Sequence, residues 1–176
     1  MRSSPGSRFP LVPLTSDHDV SGFTCGNHPG SAEIDDFLKR TALIEQDAGL
    51  SQVWIATDPQ AASPNEFVAA YFTLSPLSIP LTPAVVAALT VGSVPYRAVG
   101  GYLLGRLGVT ARLQGQGMGA NLVAASIKIA RAVRADVGGA FLAVDPKNDK
   151  LLGWYERLDF GFRRLDPGKR RIILKL

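Results

Sequence analysis

The order of predicted elements favours a mixed α/β fold, in which a central sheet has helices on both faces. Strands come first, a strand-helix-strand unit occupies the centre, and helix and strands alternate again at the end. The 176 residues suffice for one domain, spanning residues 1–176. The most apolar stretch, residues 67–105, has one charged residue, Arg97, but four prolines interrupt it. It therefore predicts buried strands and a short helix instead of a membrane span.

The N-terminal part predicts a lead-in, a strand and a helix. The first ten residues are rich in Ser, Pro and Gly and lack the apolar run of a signal peptide, so we expect residues 1–8 to be flexible. Residues 9–14 predict a strand. Apolar side chains at helical spacing predict a helix over residues 33–47, with Ser31 as its N-cap and Gly49 at its end.

The remaining elements alternate between strands and helices. Residues 52–57 and 67–75 are rich in β-branched and aromatic side chains, and the loop between them predicts a hairpin. Thr82-Pro83 opens a short helix that ends near Leu89. The rest are strands over about 101–109, 140–145, 160–164 and 171–174, a long helix over about 117–134, and a helix around 150–157.

Positive charge is concentrated in the last thirty residues. From Lys147 onward the chain has nine basic and four acidic residues, a balance of +5, whereas the other residues carry −1. This distribution excludes a uniformly basic coat of the histone type. Cys25 is the only cysteine, which excludes an intrachain disulfide and fits a cytoplasmic location. Two histidines and one cysteine without ligand spacing predict no metal site.

Three glycines at alternate positions, Gly115, Gly117 and Gly119, separate the central strand from the long helix. Glycines before a helix N-terminus form a seat for an anion, most often a phosphate. A P-loop is excluded, because Ala120-Asn121 follows where Lys-Ser/Thr is required. Gly115, Gly117 and Ala120 formally match a dinucleotide fingerprint, but the chain behind them is too short for a doubly wound sheet.

The same turn resembles the acetyl-CoA signature of the GNAT N-acetyltransferases, Gln/Arg-x-x-Gly-x-Gly/Ala. Gln114, Gly117 and Gly119 match each defined position, and an apolar strand precedes them. Residues 155–160 resemble the family's closing Tyr-x-x-x-Gly-Phe element, with Asp159 in place of the glycine. The resemblance implies a GNAT-like fold, a central mixed and mostly antiparallel sheet flanked by helices on both faces, with acetyl-CoA as acyl donor.

Further segments resemble the GNAT branch that acts as toxins of toxin-antitoxin pairs and acetylates aminoacyl-tRNA. They are His-Asp at 18–19 with Phe-x-Cys-Gly-Asn at 23–27, Ile-Asp-Asp-Phe-Leu at 34–38, Ala-Ala-Tyr-Phe-Thr-Leu-Ser at 69–75 and Leu-Leu-Gly-Arg-Leu at 103–107. Residues 28–31 lengthen a turn, and Gly108 stands where alanine is common. The resemblance implies a toxin that blocks translation, with an antitoxin or a second copy of the chain as partner. Apolar surface from residues 67–105 would then be the contact surface for an antitoxin or for a second copy of the chain.

The resemblance assigns acyl-donor binding to the end of the central strand and the turn after it, where backbone N–H groups would cradle the pyrophosphate. Arg112 is either a contact to the nucleotide phosphate or a solvated turn residue, and Lys147 and Asn148 either contact the donor or simply begin a helix. The implied binding residues are Leu107, Gly108, Val109, Arg112, Gln114, Gly115, Gln116, Gly117, Met118, Gly119, Ala120 and Asn148.

Tyr155 is the candidate catalytic residue, because a phenol with a pKa of about 10 is protonated at neutral pH and can donate to the departing thiolate. The alternative is a tyrosine that packs between helix and sheet. No Asp or Glu lies between Phe67 and Gln114 to act as a base. The weakly basic α-amine of an aminoacyl ester can lose its proton to water, which favours that acceptor over lysine. Cys25 is interpreted as a packing residue.

Basic side chains on the long helix and in the tail predict a surface for a phosphate backbone, or else an ordinary solvated face. They are Lys128, Arg131, Arg134, Arg163, Arg164, Lys169, Arg170 and Arg171. The leading hypothesis is an acetyl-CoA-dependent N-acetyltransferase that modifies aminoacyl-tRNA. The alternatives are acetylation of a small-molecule or protein amine, and a non-catalytic protein that binds acetyl-CoA.

Overall fold

The computed structural model describes residues 8–92 and 94–176. These residues form seven strands and five α-helices, with one π-helical turn, Phe37–Thr41, and short 3-10 turns at Pro64–Glu66 and Ala111–Leu113. In chain order the elements are β1 (Leu11–Pro13), α1 (Ser31–Asp36), α2 (Ala42–Asp47), β2 (Gln52–Thr57), β3 (Val68–Pro80), α3 (Pro83–Leu89), β4 (Ala98–Val109), α4 (Met118–Val137), β5 (Phe141–Val144), α5 (Asp149–Arg157), β6 (Arg163–Arg164) and β7 (Ile172–Lys175).

The strands form a sheet in the order β1-β2-β3-β4-β5-β7-β6. β1 is antiparallel to β2, and β7 is antiparallel to both β5 and β6. β4 and β5 are parallel, with residues 102–104 opposite residues 142–144, and α4 provides the crossover between them. The predicted mixed, mostly antiparallel sheet with helices is therefore confirmed.

Backbone contacts divide the chain into two compact units. The first contains the chain up to Thr73 together with Arg106–Leu122, and the second contains Leu74–Gly105 and Val123–Leu176. β3, β4 and α4 each contribute residues to both. A single domain over residues 1–176 stays a prediction, and of the segment expected to be flexible, residues 1–7 lie outside the described residues.

The first unit packs around Tyr71, whose side chain is fully buried. Its ring lies 5.5 Å from Phe23 and 6.1 Å from Phe37, measured between ring centroids, and its hydroxyl donates to the main-chain oxygen of Ile34 at 2.7 Å. A Cβ at Gly108 would lie 2.7 Å from Ile34 Cγ2 and 2.7 Å from Tyr71 Cε1. This packing explains why glycine stands where the resembling proteins commonly have alanine.

The second unit has its own apolar core. Phe141 and Ala143 of β5 are fully buried, and they pack with Ile173 of β7 and with Val85 and Leu89 of α3. Alternate residues of β5 and β7 thus face α3. All four residues of β5 are buried, so both of its faces are covered, which explains why its sequence is apolar throughout. None of the helices in residues 8–92 and 94–176 has the length and apolarity that a membrane span requires.

The helix predicted over residues 33–47 differs from the observed one at its start and in its middle. Gly30 precedes it with a φ of 85°, so Ser31 is already helical and is not the N-cap. The N–H of Ala42 donates to the carbonyl of Phe37, five residues back, which makes residues 37–41 π-helical. The end is as predicted, since Gly49 adopts a φ of 70°.

β3 is longer than predicted and continues to Pro80. The added residues include Pro76 and Pro80, which cannot donate ladder hydrogen bonds. β2 has only six residues, so the last part of β3 extends past it and has an unpaired edge, where proline is tolerated. α4 also extends three residues past the prediction, to Val137, before Gly138 ends it with a φ of 83°.

Candidate active site

The glycine-rich turn lies in the first unit, between the end of β4 and the start of α4. Gly115 and Gly117 have φ angles of 74° and 80°, values that favour glycine over any residue with a Cβ. A Cβ added at either position would meet no atom within 4 Å. Conformation therefore accounts for these two glycines, and the space beside them is open to a ligand.

The backbone N–H groups of this turn have no internal partner of normal hydrogen-bond geometry among the described residues. From Gly115 to Ala120, none donates to an acceptor among residues 8–92 and 94–176, and the first hydrogen bond of α4 runs from Asn121 N to Gly117 O at 3.1 Å. Unpaired N–H groups and the positive end of the helix dipole together attract an anion. The turn thus fits a pyrophosphate such as that of coenzyme A.

Side-chain amides hold the backbone of the turn. Gln114 Nε2 donates to the carbonyl oxygens of Cys25 and Val109, both at 2.9 Å. Gln116 Nε2 donates to the carbonyl of Arg112 at 3.0 Å. The signature glutamine therefore braces the turn, which leaves ligand binding to the main-chain N–H groups.

Arg112 is neither a free cation nor a simple solvated residue. Its Nη1 lies 3.1 Å from Asp58 Oδ2, and its Nη2 donates to the carbonyl of Glu66 at 2.9 Å. The side chain of Asp58 is 2% exposed, and it also accepts from the N–H of Gln60 at 3.1 Å. Sequence reasoning missed Asp58, because no motif connects a carboxylate in the β2-β3 loop with an arginine 54 positions later. A phosphate contact by Arg112 stays a prediction.

The predicted strand residues Leu107, Gly108 and Val109 form the last part of β4. In the register of the sheet, pairing between β4 and β5 ends at Leu104 opposite Val144. These three residues follow that paired stretch. A strand segment without a neighbour on one side has main-chain groups available for a ligand, such as the amides of a pantetheine arm.

Tyr155 lies in α5, in the second unit, with 7% of its surface exposed. Its ring contacts Trp154 and Phe162 edge to face, with centroids 4.7 Å and 6.2 Å apart. Burial raises the pKa of Tyr155 above the ordinary range of a phenol, so the hydroxyl is protonated at neutral pH.

The hydroxyl of Tyr155 has no hydrogen-bond partner among the described residues. The same residues contain no fully buried side-chain oxygen or nitrogen without a partner, so this hydroxyl oxygen must reach the surface. A buried ring with an accessible, protonated hydroxyl can act as a proton donor. The ring packs as the alternative interpretation describes, and the role of Tyr155 as an acid stays a prediction.

Residues around Tyr155 show how the closing element is built. Asp159 adopts a φ of 54°, the left-handed conformation that the family's glycine would adopt without cost. Asn148 precedes α5, and its side-chain oxygen accepts from Leu151 N at 2.9 Å, as an N-cap does. The oxygen of Asn148 thus serves the helix, and a contact with the donor stays a prediction.

Cys25 is buried in the core of the first unit, which confirms its interpretation as a packing residue. Burial, and then the nearby charge of Asp35, raise the pKa of its thiol to about 12. A protonated thiol is a poor nucleophile. No three His, Cys, Asp or Glu side chains of the described residues come together as a metal site.

Most of the predicted basic residues have partners within the second unit. Arg171 forms two hydrogen bonds of 2.6 Å with the carboxylate of Asp145, and Arg170 Nε donates to Asp149 at 2.8 Å. The other partners are the Asp166 carboxylate for Lys169 at 3.9 Å, the main-chain oxygens of Lys169 and Pro167 for Arg164, and the main-chain oxygen of Leu176 for Arg134. Lys128, Arg131 and Arg163 are exposed, and their side chains have no ion pair or hydrogen bond within residues 8–92 and 94–176.

Several solved structures are similar to this chain over nearly its whole length. A tyrosine-to-phenylalanine mutant of KacT has a TM-score of 0.80 at 23% identity, with 96% of this chain and 95% of that chain covered. AtaT complexed with acetyl-methionyl-tRNAfMet has a TM-score of 0.75 at 23% identity, covering 95% and 94%. A mutant AtaT toxin bound to the C-terminus of the antitoxin AtaR and acetyl-CoA has a TM-score of 0.73 at 22% identity, covering 96% and 94%.

These likenesses confirm the fold that the sequence predicted, and a family model identifies the chain more directly. The model of the acetyltransferase (GNAT) family matches residues 45–162. The match includes the glycine-rich turn, Tyr155 and the strands β2 to β5. The chain therefore belongs to the GNAT family of acetyltransferases, whose acyl donor is acetyl-CoA.

Proposed function

We propose that this protein transfers the acetyl group of acetyl-CoA to the α-amine of aminoacyl-tRNA and thereby blocks translation. The observation that carries donor binding is the run of unpaired N–H groups from Gly115 to Ala120 beside open space. Acetyl-CoA supplies an activated thioester when it is bound. The acceptor is supported by the resemblance of four segments to the toxin branch and by the AtaT structure with acetyl-methionyl-tRNAfMet.

Tyr155 is the proposed general acid. Its hydroxyl gives a proton to the sulfur when the carbon-sulfur bond breaks and the carbon-nitrogen bond forms, and it regains a proton from water afterwards. The raised pKa keeps the phenol protonated before the step. No carboxylate lies between Phe67 and Gln114 to take the proton of the amine, so water is the proposed acceptor of that proton.

We also propose partners and a location for this activity. An antitoxin is supported by the AtaT structures with the antitoxin AtaR. A contact surface for an antitoxin or for a second copy is supported by Val94 and Tyr96, which are 40% and 69% exposed in the apolar region. A cytoplasmic location is supported by the lone buried thiol of Cys25 and by a substrate that is used there.

One assay tests the acceptor. The protein is incubated with labelled acetyl-CoA and charged tRNA, with uncharged tRNA as control, and then with free amines and a lysine peptide. We expect label in charged tRNA only, because uncharged tRNA has no α-amine. Label in a free amine or in the peptide but not in charged tRNA would overturn the proposed acceptor, and label in none of them would favour a protein that only binds acetyl-CoA.

A further inference from the structure

We propose that Asp35 is a positioning residue for the glycine-rich turn between β4 and α4, called the donor turn below. Asp35 acts on it through a second turn, residues 24–26. This role rests on the proposed function of the glycine-rich turn as the donor site. Asp35 lies in α1, outside the segment that resembles the acetyl-CoA signature. All the contacts that follow lie within the first unit.

The carboxylate of Asp35 holds residues 24–26 with both of its oxygens. Oδ1 accepts from the N–H of Cys25 at 2.8 Å, and Oδ2 accepts from the hydroxyl of Thr24 at 2.9 Å. The same hydroxyl oxygen accepts from the N–H of Gly26 at 3.1 Å. Hydrogen bonds to an ionised carboxylate are stronger than those between neutral groups, so this turn has a defined conformation.

Residues 24–26 in turn hold the start of the donor turn at two points. The carbonyl of Thr24 accepts from the N–H of Ala111 at 2.8 Å. The carbonyl of Cys25 accepts from Gln114 Nε2 at 2.9 Å, and that amide also reaches Val109. These two carbonyls are in consecutive residues, so a change in the conformation of residues 24–26 displaces both anchors together.

Gly26 itself lies beside the donor turn. Gly26 has a φ of 88°, and a Cβ built there would lie 3.5 Å from the Cβ of Ala111. A residue with a Cβ would rarely adopt the left-handed conformation that Gly26 has directly after the two carbonyls. Asp35 fixes this geometry from α1, which explains why a carboxylate in the Ile-Asp-Asp-Phe-Leu segment accompanies the Phe-x-Cys-Gly-Asn segment in the sequence.

The donor turn depends on such anchors because its own N–H groups contribute nothing to its rigidity. From Gly115 to Ala120 they are unpaired, and they bind an anion well only if they already point at one place. Loss of the anchors would therefore weaken binding of CoA more than binding of the acceptor. Cys25 takes part through its backbone and through its thiol, which contacts the Asp35 carboxylate and the backbone of Val109.

The test uses Asp35→Asn and Asp35→Ala, with Asp36→Asn as matched control. Asp36 is the adjacent exposed carboxylate, and its contact is an exposed ion pair of 3.6 Å with Arg40 Nε. The Kd of CoA is measured by calorimetry well below the melting temperature of each variant. We expect the Kd to rise about tenfold in Asp35→Asn, which loses one charge-assisted acceptor, and further in Asp35→Ala, with no change in Asp36→Asn.

Two readouts separate positioning from general stability. The KM for acetyl-CoA should rise while the KM for charged tRNA stays constant. Exchange of the Ala111 amide hydrogen should accelerate without a matching change in the amides of β4. The effect of Asp35→Asn on the Kd should shrink in a Gln114→Met background, since one anchor is then already absent. If Asp35→Ala does not fold, Asp35→Asn and the exchange measurement still decide the question.

The possible failures are distinguishable. If the unchanged protein binds CoA and Asp35→Asn binds it equally well, the positioning role is overturned and the proposed function is untouched. If Asp35→Asn raises both KM values equally, the residue has only a structural role. If the unchanged protein binds CoA but does not acetylate charged tRNA, only the proposed acceptor fails. Absence of CoA binding by the unchanged protein would overturn both.

Discussion

Replacing Tyr155 by phenylalanine should separate catalysis from stability. The ring is buried against Trp154 and Phe162, and phenylalanine preserves both edge-to-face contacts. The hydroxyl has no partner among the described residues, so we expect the free energy of unfolding to change by less than about 0.5 kcal/mol. The variant lacks the proton donor, and its kcat should fall by about 100-fold or more.

Tyr71→Phe is the matched control, because it removes a hydroxyl from the other large buried tyrosine. The Tyr71 hydroxyl donates to the carbonyl of Ile34 at 2.7 Å, and the side chain is fully buried. Its loss removes a buried hydrogen bond from that carbonyl, which keeps only its bond from the N–H of Phe37, and should cost about 1–2 kcal/mol of the free energy of unfolding. For a chain of this length the melting temperature should fall by about 2–8 °C. Turnover per folded molecule should stay close to that of the unchanged protein.

Denaturant unfolding gives the free energies, and single-turnover kinetics with labelled acetyl-CoA give the chemical step. The Kd of CoA is measured for all three proteins, so that a loss of donor binding is not mistaken for a loss of the acid. A Tyr155→Phe variant that binds CoA and keeps near-normal turnover would refute the role of Tyr155 as acid. A variant destabilised by as much as Tyr71→Phe would refute the inference that its hydroxyl is unpaired.

Three other changes follow from the packing, the ion pairs and the pKa of the acid. Gly108→Ala should lower the free energy of unfolding by about 1–3 kcal/mol, measured in denaturant, because its Cβ would lie 2.7 Å from two side chains. Gly100→Ala on the same strand is the control, since its Cβ would meet no atom within 4 Å and should be tolerated. Arg112→Met should lower the free energy of unfolding by about 3 kcal/mol, because the buried Asp58 carboxylate loses its cation. Adding Asp58→Asn to this variant should recover part of the loss. Equal stability of the single and the double variant would contradict the pairing. Burial raises the pKa of Tyr155 and so keeps the phenol protonated. We therefore expect kcat not to decline as the pH rises to about 10. A decline near pH 8 that Tyr155→Phe abolishes would contradict the raised pKa.

The conformation of the glycine-rich turn could be predicted from sequence because its determinants are local. Gly115 and Gly117 adopt positive φ in the turn itself, and the unpaired N–H groups follow from the start of a helix at Met118. β2 was predicted with its observed bounds, since six residues rich in β-branched and aromatic side chains lie between polar turns. Where the information is confined to neighbouring residues, the sequence indicated the structure to within a few positions.

The missed features depend on residues far apart in the chain. The π-helical turn at Phe37–Thr41 interrupts a regular apolar pattern, and its neighbours include the hydroxyl of Tyr71 on Ile34 and the guanidinium of Arg106, 3.8 Å above the Phe37 ring. Hydrophobic periodicity describes the spacing of apolar residues along one element and cannot reveal such contacts. The same holds for the partner of Arg112, because local composition cannot show which carboxylate a cation will meet.

Charge illustrates the difference between counting residues and placing them. The sequence gives the last thirty residues an excess of +5, which suggests that Arg170 and Arg171 belong to a phosphate-binding surface. In the structure, Arg171 pairs with Asp145 and Arg170 with Asp149. A cation that is already paired gains less from a phosphate, because the existing hydrogen bonds must first be broken. The proposed phosphate-binding surface is therefore expected on α4 more than at Arg170 and Arg171.

This shift leads to a prediction about salt dependence. Lys128 and Arg131 lie one turn apart on the exposed face of α4 and have no partner within residues 8–92 and 94–176. Replacing either by alanine should reduce the slope of log Kd for tRNA against log salt by about 1, since each phosphate contact releases about one counterion. Arg170→Ala and Arg171→Ala should change this slope less, while none of the four should alter the Kd of CoA. A larger change of slope from Arg170→Ala and Arg171→Ala would show that their ion pairs open on binding. It would also support a phosphate-binding surface in the last thirty residues instead of on α4.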